Sequence, residues 1–177
     1  REILRFNDQP HEWLDACFEF PTVVAFSGHM MDAAGRAVAR FTPDMEPVVR
    51  EEIRAYLQKV NVGFGYSSAA CGGDIIFCEC LLEMGATVNL ILPCPVVAFK
   101  RQSVTIGGPD WERRFHEVLA RATTTMSANT TGYGTSLGDG ANSLGLVYAN
   151  RILTGLAALQ AQALDLDLKT VALWDGL

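Results

Sequence analysis

The sequence predicts an α/β fold built on a mainly parallel sheet, and three observations predict it. Short, largely apolar runs recur at Thr22–Ser27, Asn61–Tyr66, Thr87–Leu92 and Thr170–Trp174, the pattern of strands buried on both faces. Segments with helical spacing separate these runs, which indicates strand–helix–strand units. Pro and Gly stand where one kind of segment gives way to the next.

Thr22–Ser27 (TVVAFS) is rich in β-branched residues and ends at Gly28. Thr42-Pro43-Asp44 is a helix start, with Thr as cap and Pro at the first position. Met45, Val48, Val49, Ile53, Tyr56, Leu57 and Val60 then follow at helical spacing. Asn61–Tyr66 is the second strand, and the small-residue loop Ser67–Gly73 leads into a helix over Asp74–Met84, closed by Gly85. The third strand, Thr87–Leu92, is stopped by Pro93 and Pro95. Pro109 opens a helix with Trp111, Phe115, Val118, Leu119 and Ala122 on one face. Thr123–Asn129 reads as a polar fourth strand, and Thr130–Ala141 as a Gly/Ser/Thr loop. A long helix over Leu144–Leu164 precedes the fifth strand, Thr170–Trp174.

Composition narrows the function classes. A chain of 177 residues forms one domain and buries enough surface to need no disulfide or metal staple. Its apolar fraction of 49% excludes a disordered polyelectrolyte. The net charge of −6 argues against nucleic acid as partner, since phosphate contacts need clustered Lys and Arg. No signal peptide is visible, and Leu144–Leu164 contains Asn150, Arg151, Gln160 and Gln162, so a membrane span is not expected. The five cysteines, Cys17, Cys71, Cys78, Cys80 and Cys94, are odd in number and lie in apolar segments. Reduced, buried thiols in a cytoplasmic protein are therefore expected. No CxxC pair exists, so no metal site is expected. The chain opens without Met and stops three residues after its last strand. A domain cut from a longer protein is expected, although processing or undetected terminal residues would leave the same ends.

In open α/β sheets ligands lie beyond the carboxyl ends of the strands. Ser27-Gly28-His29 follows the first strand there. The second loop, Ser67-Ser68-Ala69-Ala70-Cys71-Gly72-Gly73-Asp74, is a small-residue strand-to-helix turn, suited either to an anion at the helix N-terminus or to tight packing. The Gly/Ser/Thr loop is the third. Asp74 either stabilises its helix dipole or accepts hydrogen bonds from a ribose or base, in which case Asp74→Asn harms binding more than stability. His29 is a phosphate contact, an acid/base group or a bonded loop residue. Arg151 is the sole charge between Asp139 and Asp165 on a helix read as apolar around its whole circumference. It must find a ligand phosphate, an acid such as Asp74 or Asp175, or solvent. Glu79 and Glu83 read as a solvated stripe, Lys100 and Arg101 as solvated residues or a pocket rim, and His11 and His116 as surface. Trp111, Phe115 and Trp174 read as core.

Gly65-Tyr66-Ser67-Ser68-Ala69-Ala70-Cys71-Gly72-Gly73-Asp74, with Glu79, Gly85 and Ile91-Leu92-Pro93, resembles the SLOG superfamily pattern. That superfamily groups the DNA-processing protein A domain, LOG-like proteins and nucleotide-sensing modules. Ser27-Gly28-His29 is similar to the end of its first strand, and Tyr148-Ala149-Asn150-Arg151 with Trp174-Asp175-Gly176 to the later part of one branch. The resemblance covers about Thr22 to Gly176. It implies a Rossmann-like, doubly wound sheet of about five or more strands with helices on both faces. It further implies a nucleotide or nucleotide-derived ligand, held by Ser27, Gly28, His29, Ser67, Ser68, Ala69, Gly72, Gly73, Asp74, Asn150 and Arg151.

LOG phosphoribohydrolases carry a Pro-Gly-Gly-x-Gly-Thr-x-x-Glu segment that supplies a catalytic Glu. The corresponding Thr131–Gly138 here has Gly134-Thr135 but no Glu. The expectation is a sensor domain without catalytic residues that regulates an effector in the same chain, with a homo-oligomer left open. An enzyme cleaving the N-glycosidic bond of a nucleotide is the alternative, with Asp74 or Glu79 as its motif-based carboxylates. A plain interaction domain is the third reading.

Overall fold

A computed structural model of the chain describes residues 2–10, 12–33, 35–130 and 144–174. Five strands form one sheet: β1 (Thr22–Gly28), β2 (Val62–Ser67), β3 (Thr87–Leu92), β4 (Thr124–Ser127) and β5 (Leu168–Leu173). The order is β4-β3-β2-β1-β5, and every pairing is parallel. The helices are α1 (Glu2–Phe6), α2 (Glu12–Cys17), α3 (Glu46–Lys59), α4 (Gly73–Glu83), α5 (Val96–Ser103), α6 (Pro109–Arg121) and α7 (Leu144–Leu164).

The strand order dictates the layers. From β1 to β4 the chain steps across the sheet in one direction, so right-handed crossovers place α3, α4 and α6 on one face. The return from β4 to β5 places α7 on the other. Alternate strand residues feed the two cores. Val24, Phe26, Leu90 and Leu92 pack with Ile53, Leu57, Ile75, Phe77, Phe99 and Phe115. Phe26 stacks on Phe77 with ring centroids 4.5 Å apart. Val23, Ala25, Tyr66 and Ile91 pack with Leu153, Ala157 and Ala161 of α7. The doubly wound, Rossmann-like α/β expectation is thus met.

Several local readings are corrected. Thr42-Pro43-Asp44 opens a 3-10 turn, Pro43–Met45, and α3 begins after it at Glu46. A helix follows Pro95, and the sequence pattern did not mark it: α5 is a short helix with only Phe99 and Ser103 buried. Cys17 is exposed, while the other four cysteines are buried. Burial pushes the Cys71 and Cys80 thiols up to about 11, so both stay protonated and unreactive at neutral pH. Helix α7 is not buried around its circumference. The stripe Ala149, Leu153, Ala157 and Ala161 faces the sheet, and Leu159 on its outer side is 62% exposed. Trp174 is not core either, being 66% exposed. Trp111 and Phe115 are buried as expected, and His116 is exposed. No described helix is long and apolar enough to cross a membrane.

Candidate functional site

The sheet order reverses between β1 and β5, and in open α/β sheets ligands bind beyond the carboxyl ends of the strands at such a reversal. Their register ends on Gly28 opposite Leu173. The loops are drawn together there by backbone bonds. Gly73 donates its N–H to the His29 carbonyl at 3.0 Å, and Met31 donates to Cys71 at 2.9 Å. Met30 and Gly72 form an isolated bridge. The approach is close enough that a Cβ on Gly28 would stand 3.1 Å from the Gly73 Cα. Ser27-Gly28-His29 and Ser68–Asp74 therefore do converge, as their places after β1 and β2 required.

Asp74 is the hub of that convergence. Its Oδ1 accepts the Gly28 N–H at 2.8 Å, and its Oδ2 accepts the Ser68 hydroxyl at 2.5 Å and the Ala70 N–H at 3.4 Å. The side chain is 4% exposed. The carboxylate is thus an internal anion, and it occupies donors that a ligand phosphate at this turn would use. The first turn of α4 is closed in the same way, with Ile75 and Ile76 donating to Ala70 and Gly72. Ser67 is 1% exposed, Ala69 0%, and Gly72 and Gly73 are buried. Of the predicted ligand contacts on these loops, Ser27, Gly28, His29 and Ser68 keep surface at the strand ends.

Burial raises the Asp74 carboxyl from 3.8 to about 6, against the Ser68, Gly28 and Ala70 hydrogen bonds that lower it. The sign of the linked stability follows. Between about pH 4 and 6 the unfolded chain gives up this proton while the folded chain keeps it, so stability falls as pH rises. The full effect is about 3 kcal/mol and is complete somewhat above pH 6. Denaturant midpoints of the wild-type chain and Asp74→Asn, measured from pH 4 to 7, should converge or cross as the wild type loses that amount relative to the variant. Parallel curves would show that Asp74 is not a buried charge.

Glu79 is corrected from solvated stripe to a partly buried ion cluster. Arg114, 6% exposed, grips it with two hydrogen bonds, 2.7 Å to Oε1 and 2.8 Å to Oε2. Arg50 also donates to Oε2. Arg114 reaches Glu46 at 2.8 Å, and its guanidinium lies 3.8 Å above the Trp111 ring. Burial alone would raise the Glu79 carboxyl, yet Arg114 and then Arg50 hold it below its ordinary value. The cluster rivets α3, α4 and α6 together on the outer layer, away from the strand ends. Its neighbouring cleft, about 560 Å³, is lined by Arg50, Arg113, Arg114 and Arg121 against Glu79, Glu83, Asp110 and Glu117, a balanced set. Neither carboxylate proposed for glycoside chemistry is free to meet a substrate at the strand ends: Asp74 is spent on three donors, Glu79 on two arginines.

Asn150 and Arg151 are exposed on α7. They line a shallow depression with Val147, Thr154, Gly155 and Ala158, and no residue of the β1 and β2 loops lines it. The predicted ion pair of Arg151 with Asp74 is absent, because Asp74 is occupied by its own loops. Lys100 pairs with Glu112 at 3.1 Å, and Arg101 is exposed. The Gly134-Thr135 segment, the rest of 131–143, Asp175, Gly176 and His11 lie outside the described residues. Among the described residues no group of three or more His, Cys, Asp or Glu could hold a metal ion.

The residue that sequence reasoning missed is Trp174. It follows β5 directly, and its ring centroid lies 5.7 Å from that of His29. The available signal was positional: Trp174 ends a strand at the edge where ligands sit. No protein family matches the chain, and no curated protein matches it.

Proposed function

We propose that this chain is a cytoplasmic sensor domain that binds a nucleotide or nucleotide-derived ligand and regulates an attached effector. The observation that carries the reading is the β1/β5 reversal of strand order, where Asp74 ties Gly28 to Ser68 and the next residue along, His29, lies beside Trp174. The SLOG resemblance supplies the ligand class, and the engagement of Asp74 and Glu79 by protein groups favours binding over hydrolysis. The ligand's anionic part is held by the exposed side of these loops, since the Gly28 and Ala70 N–H groups already serve Asp74. Buried, protonated thiols fit a reducing compartment. The charge of −6 keeps nucleic acid off the list of partners.

Thermal unfolding with a panel of nucleoside mono-, di- and triphosphates and cyclic or ribosylated derivatives tests the reading. A ligand present at 100 times its dissociation constant should add about 2.7 kcal/mol. For a domain of this size the midpoint then rises by roughly 5–11 °C. A panel without any shift removes the proposal, and release of free base from a nucleoside monophosphate would replace the sensor with an enzyme.

A further inference from the structure

We infer that the Trp174 indole is the platform on which the planar ring of the ligand stacks, braced by His29. This inference rests on the nucleotide reading and names the residue that would read the base. The β1–β5 register pairs Gly28 with Leu173. The next residue of each strand is His29 and Trp174, so the two rings extend one ladder step beyond the sheet. Their centroids are 5.7 Å apart and their planes are inclined by 31°. The indole therefore lies beside the imidazole and keeps most of its own surface open. Trp174 is 66% exposed, while the preceding Leu173 packs over α4 so closely that a Cβ on Gly73 would stand 2.9 Å from its Cδ2. A large, exposed aromatic surface at a topological switch point suits a flat heteroaromatic ring, which gains by stacking without sequence-like discrimination. Purines, with two fused rings, should stack better than pyrimidines.

Calorimetric titration of the full chain with adenosine, guanosine, cytidine and uridine monophosphates and with ribose 5-phosphate tests this. Purine monophosphates should bind most tightly, and Trp174→Ala should weaken them by about tenfold or more. Trp174→Phe should retain most of the affinity, and ribose 5-phosphate should bind wild type and Trp174→Ala alike. The apo melting temperature of both variants should stay close to that of the wild type, because the side chain is exposed. If nucleotides bind wild type and Trp174→Ala equally, the platform is refuted and the nucleotide reading survives. If ribose 5-phosphate loses as much as the nucleotides, the indole is not reading the base and the inference again fails. If no nucleotide binds the wild-type chain, both fall together.

Discussion

Replacing Glu79 by Gln should cost the fold about 3–5 kcal/mol, because it takes from the buried Arg114 the carboxylate that grips it with two hydrogen bonds and weakens the hold on the partly buried Arg50. Arg114 loses a two-pronged carboxylate contact and retains only Glu46 within 3 Å. Arg50 keeps Glu83 at 3.3 Å and Glu46 at 3.8 Å. Three helices meet at this point, so the loss is felt across the whole outer layer. The thermal midpoint should drop by roughly 6–20 °C. The double change Glu79→Leu with Arg114→Met removes the most buried pair and leaves Arg50 to Glu46 and Glu83, and it should recover most of that loss, as apolar replacements of buried pairs commonly do. A Glu79→Gln chain that melts with the wild type would return this residue to the solvated stripe that its spacing suggested.

Gly72→Ala should cost at least about 3 kcal/mol. Gly72 precedes α4 with φ at +111° and ψ at −132°, a conformation that side chains rarely adopt. A Cβ there would stand 2.7 Å from the His29 carbonyl oxygen and 2.7 Å from the Met31 nitrogen. Both are backbone atoms, and both are tied by hydrogen bonds to Gly73 and Cys71, so neither can swing aside. Gly85→Ala is the natural control: φ is +73°, but nothing lies within 4 Å of the added carbon, and the cost should be about 1–2 kcal/mol. Equal denaturant midpoints for the two variants would show that the β1 and β2 loops are not locked against each other.

What the sequence disclosed was what local pattern encodes. Thr87–Leu92 and Leu144–Leu164 were bounded to the residue, and the other strands within two residues; β1 and β3, the buried strands, read as apolar runs closed by Gly and Pro. Partnership was less legible. Glu83 is exposed as its spacing suggests, but Glu79, four residues earlier, looks equally solvated until α3 and α6 bring Arg50 and Arg114 against it. Asp74 was found through its loop motif, but its three donors come from segments that only the sheet brings together. Helix α5 escaped notice because Pro93 and Pro95 mark an end to β3 as strongly as a beginning for Val96–Ser103. Arg151 was misjudged because apolar residues on every side of α7 imply cover all round, whereas only the Ala149–Ala161 stripe meets the sheet.

The pairing of β1 with β5 also has a timetable. The chain makes β1 among its first thirty residues, but the strand that completes its outer edge begins only at Leu168. At roughly 5–20 residues per second of synthesis, the interval is on the order of ten seconds. For that period Val23 and Ala25 lack the α7 residues that cover them, and one edge of β1 offers unpaired amides to any neighbouring chain. A nascent chain in that condition is a natural client for chaperones, and crowded overexpression should send part of it to inclusion bodies before Leu168 leaves the ribosome.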